Sequence, residues 1–276
     1  MTRFYKIALI LTVICLCYVI ANNFQKQNSM TMDNEICVRL ETTMGNITVK
    51  LYNETPKHRD NFIKLVKEQA YDNTSFHRVI KNFMIQGGDI QNKKLNYPTD
   101  YTIPAEFNPA LFHKKGALAA ARLGDNINPE KASSSCQFYI VTGNVFTTSQ
   151  LTDMGKQINQ VRLDSALQQV TRRHLKEILT LRKSNDKEGL SALQNTIYAE
   201  ARKEVAQQAP FSFTPEQIQA YTTIGGAPHL DGAYTVFGEV IEGMEVVEQI
   251  EKVETDKNDR PGKEVCIIKA SIVPEN

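Results

Sequence analysis

The sequence predicts a mainly β fold, a closed antiparallel barrel into which an α-helical hairpin is inserted. Short apolar segments of strand length recur between Gly-rich turns with few helix patterns among them, which favours an antiparallel barrel over alternating βαβ units. Between residues 146 and 222 the apolar period changes from that of strands to that of helices. The predicted barrel therefore comprises residues 35–145 and 223–276, and residues 146–222 form the insertion.

The first barrel segment opens with a predicted hairpin. Apolar and polar residues alternate over residues 35–52 around Met44-Gly45-Asn46, which is typical of two strands joined by a tight Gly-Asn turn. Thr55 and Pro56 then predict the start of a helix, because threonine caps helix N-termini and proline suits the first helical position.

The stretch SFHRVIKNFMIQGGD, residues 75–89, predicts the strand around which the chain is organised. Its apolar residues supply bulk, and Gly87-Gly88 ends it. Within nine residues it carries a cation, an amide and two large apolar side chains, namely Arg78, Gln86, Phe83 and Met84. That combination suits a shallow apolar groove with a fixed cation.

The remaining barrel elements follow from the same patterns. Residues 91–102 are polar and predict a loop, as do residues 123–135, which are rich in Gly, Asn, Pro and Ser. Further strands are predicted at residues 136–141, 233–240 and 265–273, and a helix at residues 243–252.

Two amphipathic helices are predicted in the insertion. Apolar residues repeat at steps of three and four over residues 163–181 and again over residues 190–205, and residues 184–189 interrupt them. Such helices would pair as a hairpin because each has an apolar face to bury. Thr214 and Gln217 predict a capping box that opens a short third helix. The hairpin either widens the surface for client proteins or is a passive decoration of the barrel.

The N-terminus differs from the rest of the chain. Arg3 and Lys6 precede an apolar run over residues 7–20 that is short for a transmembrane helix. This predicts a cleaved signal peptide at residues 1–21, or an uncleaved membrane tether through residues 4–21, followed by a polar spacer at residues 22–34. We therefore expect an exported protein, periplasmic or otherwise extracytoplasmic.

Charge and cysteine usage argue against several partners. The formal net charge is +1 and no Lys/Arg-rich block occurs, so the sequence predicts no nucleic-acid partner. It contains no Cys-x-x-Cys, and its five histidines are scattered, so we expect neither a metal site nor another cofactor.

The motif FHRVI-x-x-FMIQGGD, residues 76–89, resembles the signature of the cyclophilin family of peptidyl-prolyl cis-trans isomerases. Residues 116–118, 137–140 and 229–238 resemble further family segments in the same order. The resemblance implies an eight-stranded barrel capped by helices, with residues 116–122 as a strand of small side chains under a groove. It also implies an isomerase that acts on proline-containing polypeptides.

The resemblance also assigns roles to residues. Rotation about an X–Pro amide meets a barrier of about 18–20 kcal/mol. A guanidinium can donate to the nitrogen lone pair of the twisted amide but does little for the planar one, so it favours the transition state. This role falls to Arg78. The substrate-binding positions implied are Phe83, Met84, Tyr139 and Leu230 for the proline ring, Gln86 and Gln137 for the backbone, and also Ala121, Arg122, His229 and Tyr234.

Four of these positions depart from common members of the family. Arg122 stands where many have asparagine, and Tyr139 stands where phenylalanine is common. His229 stands where cyclosporin-sensitive members have tryptophan, and Tyr234 where many have histidine. The departures resemble bacterial members, and we expect cyclosporin to bind weakly.

Other functions and one covalent link stay open at this point. The chain could be a binding module for proline-containing segments with little turnover, or a chaperone in which isomerisation is incidental. In the family pattern the first and last strands are adjacent, so Cys37 and Cys266 would allow a cross-strand disulfide in an oxidising compartment.

Overall fold

The computed structural model describes residues 36–91 and 97–274. The signal peptide or tether predicted at residues 1–21 and the spacer at residues 22–34 lie outside the described residues, as does part of the loop predicted at residues 91–102. Among the described helices, none is long and apolar enough to cross a membrane.

The described chain forms eleven strands and six α-helices. The strands are β1 (Cys37–Thr42), β2 (Gly45–Leu51), β3 (Thr74–Ser75), β4 (Arg78–Ile80), β5 (Met84–Gly87), β6 (Thr102–Ile103), β7 (Ala117–Ala120), β8 (Ser133–Ser134), β9 (Phe138–Val141), β10 (Val236–Glu242) and β11 (Cys266–Ile272). The helices are α1 (Pro56–Lys67), α2 (Thr148–Arg173), α3 (Leu175–Lys183), α4 (Lys187–Val205), α5 (Pro215–Thr223) and α6 (Met244–Ile250).

Nine strands form one antiparallel sheet in the order β3-β11-β1-β2-β10-β7-β9-β5-β4, and β6 pairs with β8 separately. The strands at the two ends of this order, β3 and β4, are separated in the chain by Phe76 and His77 alone. The ends of the sheet must therefore lie close together, so the sheet curls round on itself. The mainly β antiparallel barrel with an inserted helical hairpin is confirmed, with nine strands in the main sheet rather than the eight that were predicted.

Two local predictions for the first segment are wrong in detail. The stretch at residues 75–89 is not one strand, because Asn82 adopts a φ of 59° and turns the chain between β4 and β5. The first hairpin turns at Thr43 and Met44, two residues before the predicted Gly45-Asn46 turn, and Gly45 already pairs with Thr42. The helix predicted from Thr55 and Pro56 is α1, which has proline in its first turn as predicted, but the Thr55 side chain makes no capping hydrogen bond.

An aromatic cluster fixes α1 over one face of the sheet. The ring centroid of Phe62 lies 5.1 Å from that of Tyr71, 5.4 Å from that of Phe138 and 5.5 Å from that of Phe237. All four rings are almost fully buried. Aromatic pairs at these separations add to the free energy gained from area burial, so α1 is a rigid part of the barrel.

The predicted helical hairpin leaves the barrel through a narrow neck. The helices α2 and α3 follow one another with His174 between them, and α4 returns along them to enclose an apolar cluster around Val170 and Ile197. At the neck, Asn144 and Gly226 exchange two backbone hydrogen bonds of 3.1 Å and 2.9 Å. Helix α5, which begins with the predicted capping box of Thr214 and Gln217, lies beside this neck.

The disulfide considered for Cys37 and Cys266 is wrong. The strands β1 and β11 are adjacent, as expected, but they pair antiparallel, with Val38 opposite Ile272 and Thr42 opposite Ile267. The two cysteines therefore lie at opposite ends of the pair, roughly 20 Å apart at the usual rise per residue. A disulfide requires Cα atoms within about 7 Å.

Buried histidines predict how stability depends on pH. Nδ1 of His58 lies 2.7 Å from Oε2 of Glu106, and Nε2 lies 2.9 Å from Oγ of Ser133. Burial lowers the pKa of His58, and partial burial likewise lowers the pKa of His77. Below about pH 6.5 the unfolded histidines take up protons that the folded ones do not, so acidification favours unfolding. We expect the urea midpoint to fall between pH 7 and pH 5.

A variant of His58 isolates the contribution of this residue to the pH dependence of the urea midpoint. His58→Gln cannot titrate and should therefore flatten part of this dependence, although it lowers the midpoint at pH 7. The pKa of the partly exposed His174 is raised by its hydrogen bonds to Glu177 and Glu200, which works in the opposite direction. A urea midpoint that stays constant from pH 7 to pH 5 in the unmodified protein would contradict the prediction.

Candidate active site

A groove of about 300 Å³ lies over β4, β5, β7 and β9. Ten of the eleven site residues predicted from the sequence line it: Arg78, Phe83, Met84, Gln86, Ala121, Arg122, Gln137, Tyr139, Leu230 and Tyr234. Leu123 and Ser134 complete the lining and were not predicted. The eleventh predicted residue, His229, is outside the lining, and its ring lies 5.3 Å from that of Phe83.

Strand alternation explains why these residues share one surface. Successive side chains of a strand point to opposite faces, so Met84 and Gln86 of β5 face one way while Ile85 faces the other. Ile85 belongs to the large core cluster between the sheet and α1, whereas Met84 and Tyr139 belong to a second cluster beneath the groove. That second cluster also contains Ala117, Ala119 and Ala121, so the strand predicted at residues 116–122 does carry small side chains there.

Register then sets the neighbours across the groove. Arg78 lies opposite Gln86, and Gln86 lies opposite Tyr139 on the next strand. A cation, an amide and an aromatic ring are therefore placed side by side in a row across three strands. Spacing of this kind is fixed by the sheet and does not depend on loop conformation.

Arg78 is held by a residue that the sequence did not suggest. Its Nε lies 3.3 Å from Oδ2 of Asp259, and both side chains are close to half exposed. Asp259 belongs to the loop before β11, where its carbonyl accepts a 2.8 Å hydrogen bond from the backbone N–H of Val79. The terminal nitrogens of Arg78 make no hydrogen bond to another described residue, so they can donate to a ligand.

Two amides stand next to Arg78. Nε2 of Gln86 donates to Oε1 of Gln137 over 3.0 Å. This bond uses one donor of Gln86 and the acceptor of Gln137, which leaves the Gln86 carbonyl and the Gln137 amino group to pair with a peptide backbone. The pair is suited to holding an extended chain in a fixed position.

The apolar part of the groove is built on Tyr139. This side chain is 4% exposed, and its hydroxyl lies 3.0 Å from Nε2 of His113. Burial raises the pKa of Tyr139 well above its ordinary value, so the phenol stays protonated. The ring packs edge to face against Tyr234 at 6.1 Å. Together with Met84 this makes a pocket wall of limited mobility.

Arg122 is arranged differently from Arg78. Its side chain is 4% exposed, its Nε donates to the carbonyl of Ala233 over 2.7 Å, and its Nη1 contacts Asp125 at 2.7 Å. The guanidinium lies 4.4 Å from the centroid of the Tyr234 ring. Donors that are already engaged in this way support Tyr234 and the neighbouring loop more readily than they bind a substrate.

The groove offers a cation, two amides and an apolar pocket. Among the described residues, no group of three or more His, Cys, Asp or Glu is placed to hold a metal ion. Asp259 and His113 were missed because their contacts join segments far apart in the chain. Asp231, which contacts His113, does lie in the matched residues 229–238, so the sequence contained a signal for its importance.

Comparison with known proteins identifies the family. The family model described as cyclophilin type peptidyl-prolyl cis-trans isomerase/CLD matches residues 37–182 and 177–272. A Staphylococcus haemolyticus protein named as a peptidyl-prolyl cis-trans isomerase is 28% identical over 249 residues, covering 89% of this chain and 95% of its own. A similarly named Staphylococcus aureus protein is 28% identical over 248 residues, with the same coverage of both chains.

Solved structures show the same fold. A crystal structure of a cyclophilin-type isomerase from Cryptosporidium parvum has a TM-score of 0.52 at 21% identity and covers 88% of this chain and 99% of its own. A second crystal structure of that protein, determined in the presence of the dipeptide Ala-Pro, has a TM-score of 0.51 at 20% identity, with coverage of 87% and 99%. The match of the family model to most of the chain shows that this protein belongs to the cyclophilin-type peptidyl-prolyl cis-trans isomerases.

Proposed function

We propose that this isomerase accelerates rotation about X–Pro bonds during the folding of exported proteins, and that Arg78 stabilises the twisted amide. The observation that carries the proposal is the row of Arg78, Gln86 and Tyr139 across neighbouring strands beside an apolar pocket. Each part meets one requirement of the reaction. The pocket holds the proline ring, the amides hold the chain, and the guanidinium donates to the nitrogen.

The chemistry needs no proton transfer and no covalent intermediate. The planar X–Pro amide delocalises its nitrogen lone pair into the carbonyl, and this delocalisation accounts for the barrier to rotation. In the twisted amide the lone pair is localised and can accept a hydrogen bond from Arg78. Because this bond forms only in the twisted state, it lowers the barrier without tightening ground-state binding.

Asp259 prepares Arg78 for this role. An exposed ion pair contributes little to the free energy of folding, about 0–1 kcal/mol. It does restrict the rotamers of a long side chain, and it engages Nε while the terminal nitrogens stay available. We therefore assign Asp259 as a positioning residue for Arg78.

The export part of the proposal rests on the sequence alone. Arg3 and Lys6, followed by an apolar run over residues 7–20, support secretion with cleavage or with retention as a tether. The protein would then meet proline-containing polypeptides in the periplasm or another extracytoplasmic space. Cell fractionation and N-terminal sequencing of the mature protein test this part independently of the chemistry.

Replacing Arg78 tests the mechanism. Arg78→Ala should lower kcat for a prolyl tetrapeptide by about 10²–10³-fold, the scale of losing one preorganised donor. The Kd of the peptide should change little, because the lost interaction belongs to the transition state. Arg78→Lys is the matched control that keeps the charge but not the planar set of donors, and it should be intermediate. Turnover near that of the unmodified protein in a folded Arg78→Ala variant would refute the mechanism and favour another source of activity.

Replacing Asp259 tests the positioning role. Asp259→Asn keeps the shape and the backbone bond to Val79 but loses the ion pair, so kcat should fall roughly ten- to hundredfold. In the Arg78→Ala background the same change should have no further effect. Asp60→Asn, which removes a carboxylate paired with Arg59 elsewhere on the surface, serves as the control. Independent effects of the two changes would show that Asp259 acts through something other than Arg78.

Cyclosporin tests the assignment of His229 to the substrate surface. Imidazole has less area than indole and stands beside Phe83 rather than over the groove, so we expect weak inhibition. His229→Trp should lower the inhibitory concentration by roughly tenfold, and His229→Phe, which lacks the indole donor, should do less. Tight inhibition of the unmodified protein would show that this position does not control cyclosporin binding.

A further inference from the structure

We propose that the inserted helix α5 positions the proline pocket through a buried chain of hydrogen bonds that runs from Tyr221 through Asp231 and His113 to Tyr139. The inference rests on the assignment of Tyr139 to the pocket made under the proposed function. It gives the insertion a part in substrate binding without placing any of its side chains in the groove.

The chain of contacts is continuous. Oη of Tyr221 lies 2.6 Å from Oδ2 of Asp231, and Nε2 of Gln217 reaches the same oxygen at 3.4 Å. Oδ1 of Asp231 accepts from both Nδ1 and the backbone N–H of His113 at 2.9 Å. Nε2 of His113 completes the chain at 3.0 Å from Oη of Tyr139.

Burial makes these bonds strong enough to matter. Tyr221 is 0% exposed, His113 is 1% exposed and Tyr139 is 4% exposed, and the Asp231 side chain is 11% exposed. Leaving a buried polar group without its hydrogen-bond partner is unfavourable, and water cannot readily replace the partner here. Each member is therefore constrained by the next.

The donor and acceptor roles can be assigned along the chain. A carboxylate only accepts, so Tyr221 and Nδ1–H of His113 both donate to Asp231. In the neutral imidazole with this tautomer, Nε2 is an acceptor, and the hydroxyl of Tyr139 donates to it. The hydrogen bond to His113 thus fixes the orientation of the Tyr139 side chain from the side away from the groove, and with it the position of the ring face that lines the groove.

The two ends of this chain of hydrogen bonds lie in the insertion and in the pocket. Tyr221 lies on α5, and its ring packs against Phe112, Phe146 and Phe213 at centroid distances of 5.5–6.5 Å. Tyr139 in turn contacts Tyr234, the ring that Arg122 covers. A phenylalanine at position 139 would fill the same space but would end the connection.

A purely structural role predicts a different outcome from a positioning role. If the chain of hydrogen bonds only held α5 against the barrel, breaking one of these bonds would lower the free energy of unfolding and leave the kinetics of the folded enzyme unchanged. If it positions Tyr139, breaking it should weaken binding of proline in the ground and transition states alike. KM should then rise while kcat stays nearly constant.

Tyr221→Phe in the full chain is the primary test, because it removes one hydroxyl and keeps the packed ring. We expect KM for a prolyl tetrapeptide to rise roughly two- to tenfold, the scale of one hydrogen bond. In the Tyr139→Phe background the same change should have no further effect on KM. Tyr101→Phe, which removes a tyrosine hydroxyl bonded to Asn61 away from the groove, is the matched control and should leave KM unchanged.

Two results would overturn the proposal. One is an unchanged KM in folded Tyr221→Phe, and the other is independent, multiplying effects of Tyr221→Phe and Tyr139→Phe. If Tyr221→Phe fails to fold, Tyr139→Phe alone breaks the series of hydrogen bonds at its other end. An unchanged KM in the Tyr139→Phe variant would also overturn the proposal. The proposed mechanism fails on a different measurement, the kcat of Arg78→Ala, so the two failures can be told apart.

Discussion

The antiparallel register across β4, β5, β9 and β7 is the constraint on which the groove depends. It sets Arg78 against Gln86, Gln86 against Tyr139, and Tyr139 against Ala119. Because side chains alternate between the two faces of a strand, this one register sends Ile85 and Ile140 into the core and Met84 and Tyr139 toward the groove. A shift by one residue would exchange the two sets, so core burial and the site enforce the same alignment. The groove therefore gains its rigidity from the barrel core.

Two buried histidines extend that rigidity to the loops. His58 and His113 each place Nδ1 against a carboxylate and Nε2 against a hydroxyl. The first joins α1 to Glu106 and Ser133, and the second joins Asp231 to Tyr139. The Ser133, His58 and Glu106 arrangement has the order of contacts found in hydrolase triads, but Ser133 is 1% exposed and no substrate can reach it. These imidazoles thus serve as cross-links between segments, and only the second one ends at a groove residue.

Local patterns predicted the elements of this fold well, and the family resemblance predicted the groove. The capping box at Thr214, the start of α1 and the helix period of the insertion are properties of neighbouring residues, which a sequence displays directly. The predicted disulfide between Cys37 and Cys266 was wrong because knowing that two strands are adjacent does not tell which residues of the two strands are paired. The ion-pair partner of Arg78 could not be predicted from the sequence either, because Asp259 is 181 residues away and its loop carries no recognisable motif. The role of Arg122 depends on the carbonyl of Ala233 and on Asp125, which only the folded loop brings to it.

The contrast between Arg78 and Arg122 supports the proposal that only one of the two arginines of the groove acts on the substrate amide. A guanidinium that acts on the twisted amide must keep donors that gain a partner only in the transition state. Arg122 is 4% exposed with Nε and Nη1 engaged by the protein, so binding a substrate would first break those bonds. Arg78 is 44% exposed and gives only Nε to Asp259. Rotation of an amide releases no proton, so the proposed role needs donors and no transfer of a proton. In the proposed mechanism, arginine therefore has a structural role where its donors are already bonded, at Arg122, and a catalytic role where they are available, at Arg78.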